Sequence, residues 1–175
     1  MSGSLIIYSS VDGQTKIICE KIKNFSKNNA SIKLISLEEA SDFNLQPYED
    51  IIIGASIRYG KHNKNLYKFI FLNKETLEKK RSAFFSVNVV ARKSEKNTPE
   101  TNPYMKKFLK ISNWKPNKLG VFAGKVNYPN YDFFDKYIIR LIMFITKGPT
   151  DTSKSYEFTD WSKVEDFARE LNLSP

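Results

Sequence analysis

The sequence predicts an α/β fold: a five-stranded parallel sheet of order 2-1-3-4-5 with helices on both faces. Three observations lead there. Short β-branched or aromatic runs alternate along the chain with stretches whose apolar residues recur at helical spacing, the rhythm of βαβ units. Those runs suit strands covered on both faces, as parallel strands are. Five of them joined by right-handed crossovers leave few arrangements other than 2-1-3-4-5. With 175 residues, 41% hydrophobic and 14% aromatic, the chain can bury one sizeable core, so residues 1–175 are expected to form a single domain.

Strands are predicted at residues 4–9, 31–36, 50–54, 83–89 and 118–124. The first helix, at 14–28, places Ile17, Ile18, Ile22 and Phe25 on one side, with Lys16, Glu20, Lys23 and Lys27 mostly opposite. Later helices are predicted at 63–80, 99–111 and 161–173, the last with Val164, Phe167, Ala168 and Leu171 as its packing stripe.

After Ala123 and Gly124 the chain does not go directly to that last helix; residues 125–154 form an insertion in strand five, and 156–159 are expected to resume the strand. The insertion is strongly patterned. On a helical wheel over 131–147, Phe133, Phe134, Tyr137, Ile138, Leu141, Ile142, Phe144 and Ile145 fill about half the circle. Asp132, Asp135, Lys136, Arg140, Thr146 and Lys147 lie opposite, with Ile139 and Met143 as an apolar pair among them. Such a helix is too short and too charged on one side to span a bilayer. The expectation is that its main stripe packs on the domain and that Ile139 and Met143 show outside. The alternative is a helix lying in a membrane interface, with Lys136, Arg140 and Lys147 toward headgroups.

The formal net charge of +9, from 28 Lys+Arg against 19 Asp+Glu, attracts anions. The basic residues are spread along the chain and form no zinc-finger, basic-zipper or RNA-recognition signature, so nucleic acid is not expected as a partner. Cys19 is the single cysteine; it leaves no internal disulfide and no cysteine-cluster metal site, and a buried helix position is expected for it. The N-terminus lacks a charged-then-apolar leader, and a cytoplasmic location is expected. The sequence does not bear on oligomeric state.

A sheet of this order binds ligands at the carboxyl ends of its strands, beside strand one. There lies Ser10-Val11-Asp12-Gly13-Gln14-Thr15, leading into a helix N-terminus whose unpaired amides and dipole favour an anion. Gly13 permits close approach, and the hydroxyls of Ser10 and Thr15 can donate to phosphate oxygens. This is neither a Walker loop nor a dinucleotide fingerprint. Asp12 would repel a phosphate if it pointed inward, so it should offer its N–H and turn its side chain away, as a helix cap.

After strand three, Gly54, Ala55 and Ser56 are small enough for a flat ring to lie against the backbone; Ile57, Arg58 and Tyr59 supply a wall, a charge and an aromatic edge, and Gly60 permits a turn. After strand four come Ser86, Val87, Asn88 and Val89, then Arg92 and Lys93. These loops, with Gly124 after strand five, converge on one crevice. His62, the only histidine, is expected to face solvent among lysines.

Ser10 to Thr15 resembles the phosphate loop of flavodoxins, Ser/Thr-x-Thr-Gly-x-Thr, which wraps the 5′-phosphate of FMN; Asp12 stands where flavodoxins usually carry threonine. The segments IGASIRYG, SVNVVARK, TPETNPYMKKFL, TDTSK and TDW together resemble the bacterial menaquinone-dependent protoporphyrinogen IX dehydrogenases of the flavodoxin superfamily, over residues 5–171. The resemblance implies a flavodoxin-like fold, FMN as cofactor, protoporphyrinogen IX as reductant and menaquinone or ubiquinone as acceptor, with peripheral contact at the cytoplasmic face of the inner membrane. It makes Arg58, Arg92, Lys93 and Lys125 candidates for the substrate propionates, and the insertion with Ile139 and Met143 a substrate or quinone surface. An electron-shuttling flavodoxin, an NAD(P)H:quinone reductase-like flavoprotein and a basic interaction module with no cofactor are the alternatives. Shuttling flavodoxins are commonly acidic, unlike this chain.

Overall fold

Apolar residues on alternate sides of the central strands build a core on each face of the sheet. In the computed structural model, which describes residues 3–26 and 31–173, β1 (Gly3–Ser9), β2 (Ile32–Ser36), β3 (Tyr48–Ser56), β4 (Arg81–Val87) and β5 (Lys118–Phe122) pair in parallel in the order β2-β1-β3-β4-β5. The expected sheet order is the observed one. Leu5, Ile7, Ile51, Ile53 and Phe84 point to one side, where α3 (Lys64–Lys79) and α4 (Pro103–Ser112) bring Leu66, Ile70, Met105 and Phe108. Ile6, Ile52, Phe85 and Phe122 point to the other and meet Ile18 and Ile22 of α1 (Gln14–Phe25) and Val164 and Phe167 of α6 (Trp161–Leu171).

Several local expectations need correction. Helix α1 is rotated from its predicted face: Thr15, Ile18, Cys19 and Ile22, at i, i+3, i+4 and i+7, are buried, while Ile17 and Phe25 lie outside. Of the residues assigned to that helix, Lys27 and Asn28 lie outside the described residues. Helix α4 starts four residues later than predicted, because Asn102 caps it, accepting from Tyr104 N at 3.1 Å and Met105 N at 3.2 Å, with Pro103 in the first turn. A four-residue helix, α2 (Leu37–Ala40), was not predicted; Ser36 and Glu39 close it as a capping box. The segment after the insertion does not resume strand five. β7 (Ser155–Glu157) pairs antiparallel with β6 (Lys125–Asn127) as a separate ribbon, with α5 (Phe133–Ile145) between them.

Gly54 is small for the core. A Cβ there would stand 2.2 Å from Cζ of the buried Phe85 ring, so the residue makes room for an aromatic side chain beneath the sheet rather than for a ligand.

His62 is buried, contrary to the solvent-facing expectation, with 4% of its surface exposed. Arg58 and Lys61 exchange two backbone hydrogen bonds, 3.0 and 3.2 Å, across a two-residue turn in which Tyr59 and Gly60 are both left-handed. That reversal turns the chain inward. The imidazole then lies among Tyr67, Phe84 and Phe108, with Nε2 3.0 Å from Ser86 Oγ. Burial, helped by the Lys107 charge, pushes it down to about 4.

Two outcomes follow from this packing. Replacing Gly54 with alanine should destabilise the fold by about 1–3 kcal/mol, since the Phe85 ring must move within a filled core; a urea midpoint equal to that of the parent would show the ring has room. Unfolded His62 binds its proton near pH 6.5, whereas the folded ring does so only near 4. Its contribution should therefore be complete above about pH 6.5 and decline as the pH drops toward 4, by about 3 kcal/mol at most. In urea titrations at pH 7.5 and 4.5, His62→Gln should show a smaller loss of stability than the parent.

Candidate active site

A cleft of about 830 Å³, counting the part open to solvent, lies at the carboxyl ends of the strands beneath α5. Its floor and walls come from the loops after β1, β3, β4 and β5. The loop after β1 enters α1 through Gly13, whose φ of +86° favours glycine and whose missing Cβ faces open space. No side chain caps α1, so its first-turn amides remain available. Gly13 N donates to Ser10 Oγ at 3.0 Å, which tightens the turn. Thr15 Oγ1 is buried with no partner. An orphaned hydroxyl beneath uncapped amides is an anion cradle, and these residues fit a flavin phosphate.

Asp12 does not cap the helix. Its carboxylate turns toward the insertion, accepting from Arg58 Nη1 at 2.9 and 3.2 Å and from Tyr131 Oη at 3.3 Å. Partial burial raises its pKa, opposed by the Arg58 charge and the Tyr131 hydrogen bond. Arg58 reaches through its other terminal nitrogen to Asp135 in the first turn of α5. Its guanidinium stands 5.1 Å from the Tyr59 ring centroid and 5.2 Å from that of Tyr131. Both carboxylates are spoken for by this one cation, so Arg58 braces the site where a free propionate partner was expected.

Arg92 is likewise engaged. It donates to Val89 O at 3.0 Å and to Thr146 O and Oγ1 at 2.7 and 3.1 Å, holding the last turn of α5 to the loop after β4. Lys125 lines the cleft and Lys93 does not.

The second wall is the turn at 57–60, fixed to β4 by Ile57 N donating to Val87 O at 2.9 Å. Tyr59, at φ +49° and 45% exposed, stands at the mouth. The third wall is Val87, Asn88, Val89 and the unpredicted Val90 and Tyr104. Asn88 is locked: its Nδ2 donates to Ser86 Oγ at 3.2 Å, while its Oδ1 accepts from Ala91 N and from Asn102 Nδ2, each at 3.1 Å.

Of the residues read as cofactor contacts, Ser10, Val11, Asp12, Gln14, Thr15, Ser56, Tyr59, Gly60 and Gly124 reach the cleft, as do the wall residues just named. Ala55 and Ser86 are fully buried and support it from behind, and Gly13 acts through its backbone.

Helix α5 is the roof, and it lies opposite to expectation. Met143, 1% exposed, packs with Ile139 on Val126 and Tyr128, and Ile139, Ile142 and Met143 line the cleft. Gly148 closes tightly over Met143; a Cβ there would stand 2.3 Å from its Cε. The main stripe faces outward, with Phe133 at 89%, Phe144 at 73% and Phe134, Tyr137, Leu141 and Ile145 also exposed. The reason is electrostatic as well as steric: Arg58 holds Asp135 and Arg92 holds Thr146, and both anchors lie on the flank beside Ile139 and Met143. Among the described residues, no helix is long and apolar enough to cross a membrane.

Comparison with known proteins agrees with this architecture. A flavodoxin-domain family model matches residues 5–153. The protoporphyrinogen IX dehydrogenase (quinone) of Escherichia coli K12 is 40% identical over 169 residues, spanning 96% of this chain and 93% of that protein. A protein of the same name from Leishmania major is 39% identical over 173 residues, spanning 98% of this chain and 75% of that one. The solved structures of flavodoxins 1 and 2 from Bacillus cereus share the fold, with TM-scores of 0.54 and 0.52 at 16% and 18% identity and 97% of each chain covered. A sheet of order 2-1-3-4-5 with an anion cradle after its first strand, and these near-full-length identities, show that the chain belongs to the protoporphyrinogen IX dehydrogenase (quinone) family of flavodoxin-domain proteins.

Proposed function

We propose that the cleft binds FMN and that the chain oxidises protoporphyrinogen IX to protoporphyrin IX, delivering the electrons to a membrane quinone, menaquinone or ubiquinone. The observation that carries this reading is the buried, unpartnered Thr15 hydroxyl under the uncapped start of α1, in a cleft whose opposite side is the apolar roof of Ile139, Ile142 and Met143. A bound flavin supplies the two-electron acceptor chemistry that side chains lack.

The residues present do the rest. Thr15 and the amides of the first turn hold the phosphate, and the Gly13 backbone lets it approach. The walls at 57–60 and 87–90 are fixed by backbone hydrogen bonds and by the Asn88 network, leaving a rigid slot for a flat ring. The roof excludes water and offers apolar contact to a tetrapyrrole or a quinone ring. Lys125 is the lining cation left for a propionate, because Arg58 and Arg92 are occupied. In each cycle the porphyrinogen gives up two electrons and two protons, and the quinone takes up two of each to become the quinol.

The outward face of α5 supports a location at a membrane surface. Its exposed aromatic and aliphatic side chains form one continuous face, edged by Lys136, Arg140 and Lys147. At about 1.5 Å per residue, a 13-residue helix of this kind lies along a lipid interface rather than across it. Peripheral attachment to the cytoplasmic face of the inner membrane would put the cleft one helix diameter from the acyl chains where a quinone dissolves.

Mixed anaerobically with protoporphyrinogen, the FMN-loaded protein should lose its flavin absorbance and regain it on addition of a quinone; a spectrum that protoporphyrinogen leaves unchanged would overturn the activity. Thr15→Val should weaken FMN binding about tenfold or more through loss of a hydrogen bond to a charged group, read by fluorescence titration. Flotation with anionic vesicles should recover the parent protein, whereas the double change Phe133→Ser and Phe144→Ser should leave it in solution with FMN affinity intact. Equal flotation of the two would separate α5 from membrane attachment.

A further inference from the structure

Two side chains of the phosphate loop, Asp12 and Gln14, are aimed away from the phosphate subsite, and they tie that loop to the two ends of the insertion. At the entrance to α5, Asp12 accepts from Arg58 and from Tyr131 Oη, and Arg58 continues to Asp135. At the exit, Gln14 Nε2 donates to Thr159 Oγ1 at 2.9 Å and to Glu157 Oε1 at 3.3 Å, and Glu157 ends β7. The Thr159 hydroxyl in turn donates to Ala123 O at 2.9 Å, where the chain leaves the sheet.

We propose that Asp12, Gln14 and Arg58 are positioning residues that join the phosphate loop to the insertion, so that filling the phosphate subsite and seating α5 over the cleft reinforce one another. This rests on the FMN reading above. The direction of the coupling follows from the two places open to the Asp12 carboxylate. One residue ahead of the cap position at Gly13, it can swing onto the uncapped amides of α1 or extend to Arg58. A phosphate occupies those amides and repels a second anion from them. The first place is then closed, and the carboxylate is left with Arg58, which holds Asp135 and the start of α5. By thermodynamic linkage, a seated α5 must raise the affinity for the phosphate by the same factor. The coupling belongs to the phosphate, not the ring, so riboflavin, which carries the same ring without it, should not engage it. The departure from the usual threonine at position 12 thereby acquires a role.

The test compares FMN with riboflavin on the full chain. Hydrogen exchange of residues 132–147 at saturating ligand should be slower with FMN than with riboflavin. Asp135→Ala, outside the cleft lining, should remove that difference and raise the Kd for FMN about fivefold, leaving the Kd for riboflavin unchanged. Glu157→Ala, which loosens the Gln14 end by removing one of the two acceptors of its Nε2, should shift the two Kd values in the same unequal way by a smaller factor and serves if the first variant does not fold. Equal protection by the two ligands, or equal shifts in both affinities, would overturn the coupling. If the parent protein bound no FMN at all, the reading of the site would fall, and the coupling with it.

Discussion

One guanidinium organises the site. Arg58 lies between the carboxylates of Asp12 and Asp135 and between the rings of Tyr59 and Tyr131, with 18% of its side chain exposed. Partial burial strengthens such pairs relative to surface ones, and losing the cation would leave two carboxylates facing each other. The loop after β1, the turn after β3 and the start of α5 meet at this residue, so the geometry of three cleft surfaces depends on it. A left-handed tyrosine at position 59 is strained for an L-residue, and the surrounding contacts hold it there.

The orientation of α5 follows from that brace and its counterpart at Arg92. On hydrophobicity alone, the wider apolar stripe belongs against the protein. The structure turns the narrow Ile139–Met143 side inward because both polar anchors flank it, leaving an apolar face of several aromatic rings in solvent. Exposure on this scale marks a surface meant to be covered. The polar anchors and the apolar face divide the work: the first set where the helix sits, the second what it meets.

Much of the fold was legible in the chain because parallel strands covered on both sides announce themselves by short apolar runs, and right-handed crossovers restrict their order. The phosphate loop was legible for a similar reason, since Gly13 and Thr15 act through a helix terminus that local sequence defines. What could not be read were effects carried by partners distant in sequence. Arg58 and Arg92 look like free cations until Asp135 and Thr146 are placed beside them, some 77 and 54 residues away. His62 looks exposed among lysines until a two-residue reversal turns it under the sheet. Gly54 looks like room for a ligand until Phe85 fills the space. Ile142 was missed as lining because a helical wheel shows which residues share a face and gives no direction for that face, and Tyr131 because it stands in extended backbone ahead of the helix, where a wheel does not apply.

The ribbon of β6 and β7 has a consequence for how such an enzyme can change. Paired Lys125 to Glu157 and Asn127 to Ser155, it closes the insertion at its neck, and the backbone bond from Phe158 N to Gly124 O seals it against the end of the sheet. The ends of the excursion are brought together there, irrespective of what lies beyond. Closure entropy grows only slowly with loop length, by about 0.6 kcal/mol per doubling. Segments of quite different length and chemistry could therefore be grafted above the neck without disturbing the sheet or its phosphate cradle, which makes this neck a natural exchange point for redirecting a flavodoxin scaffold toward other lipophilic reductants.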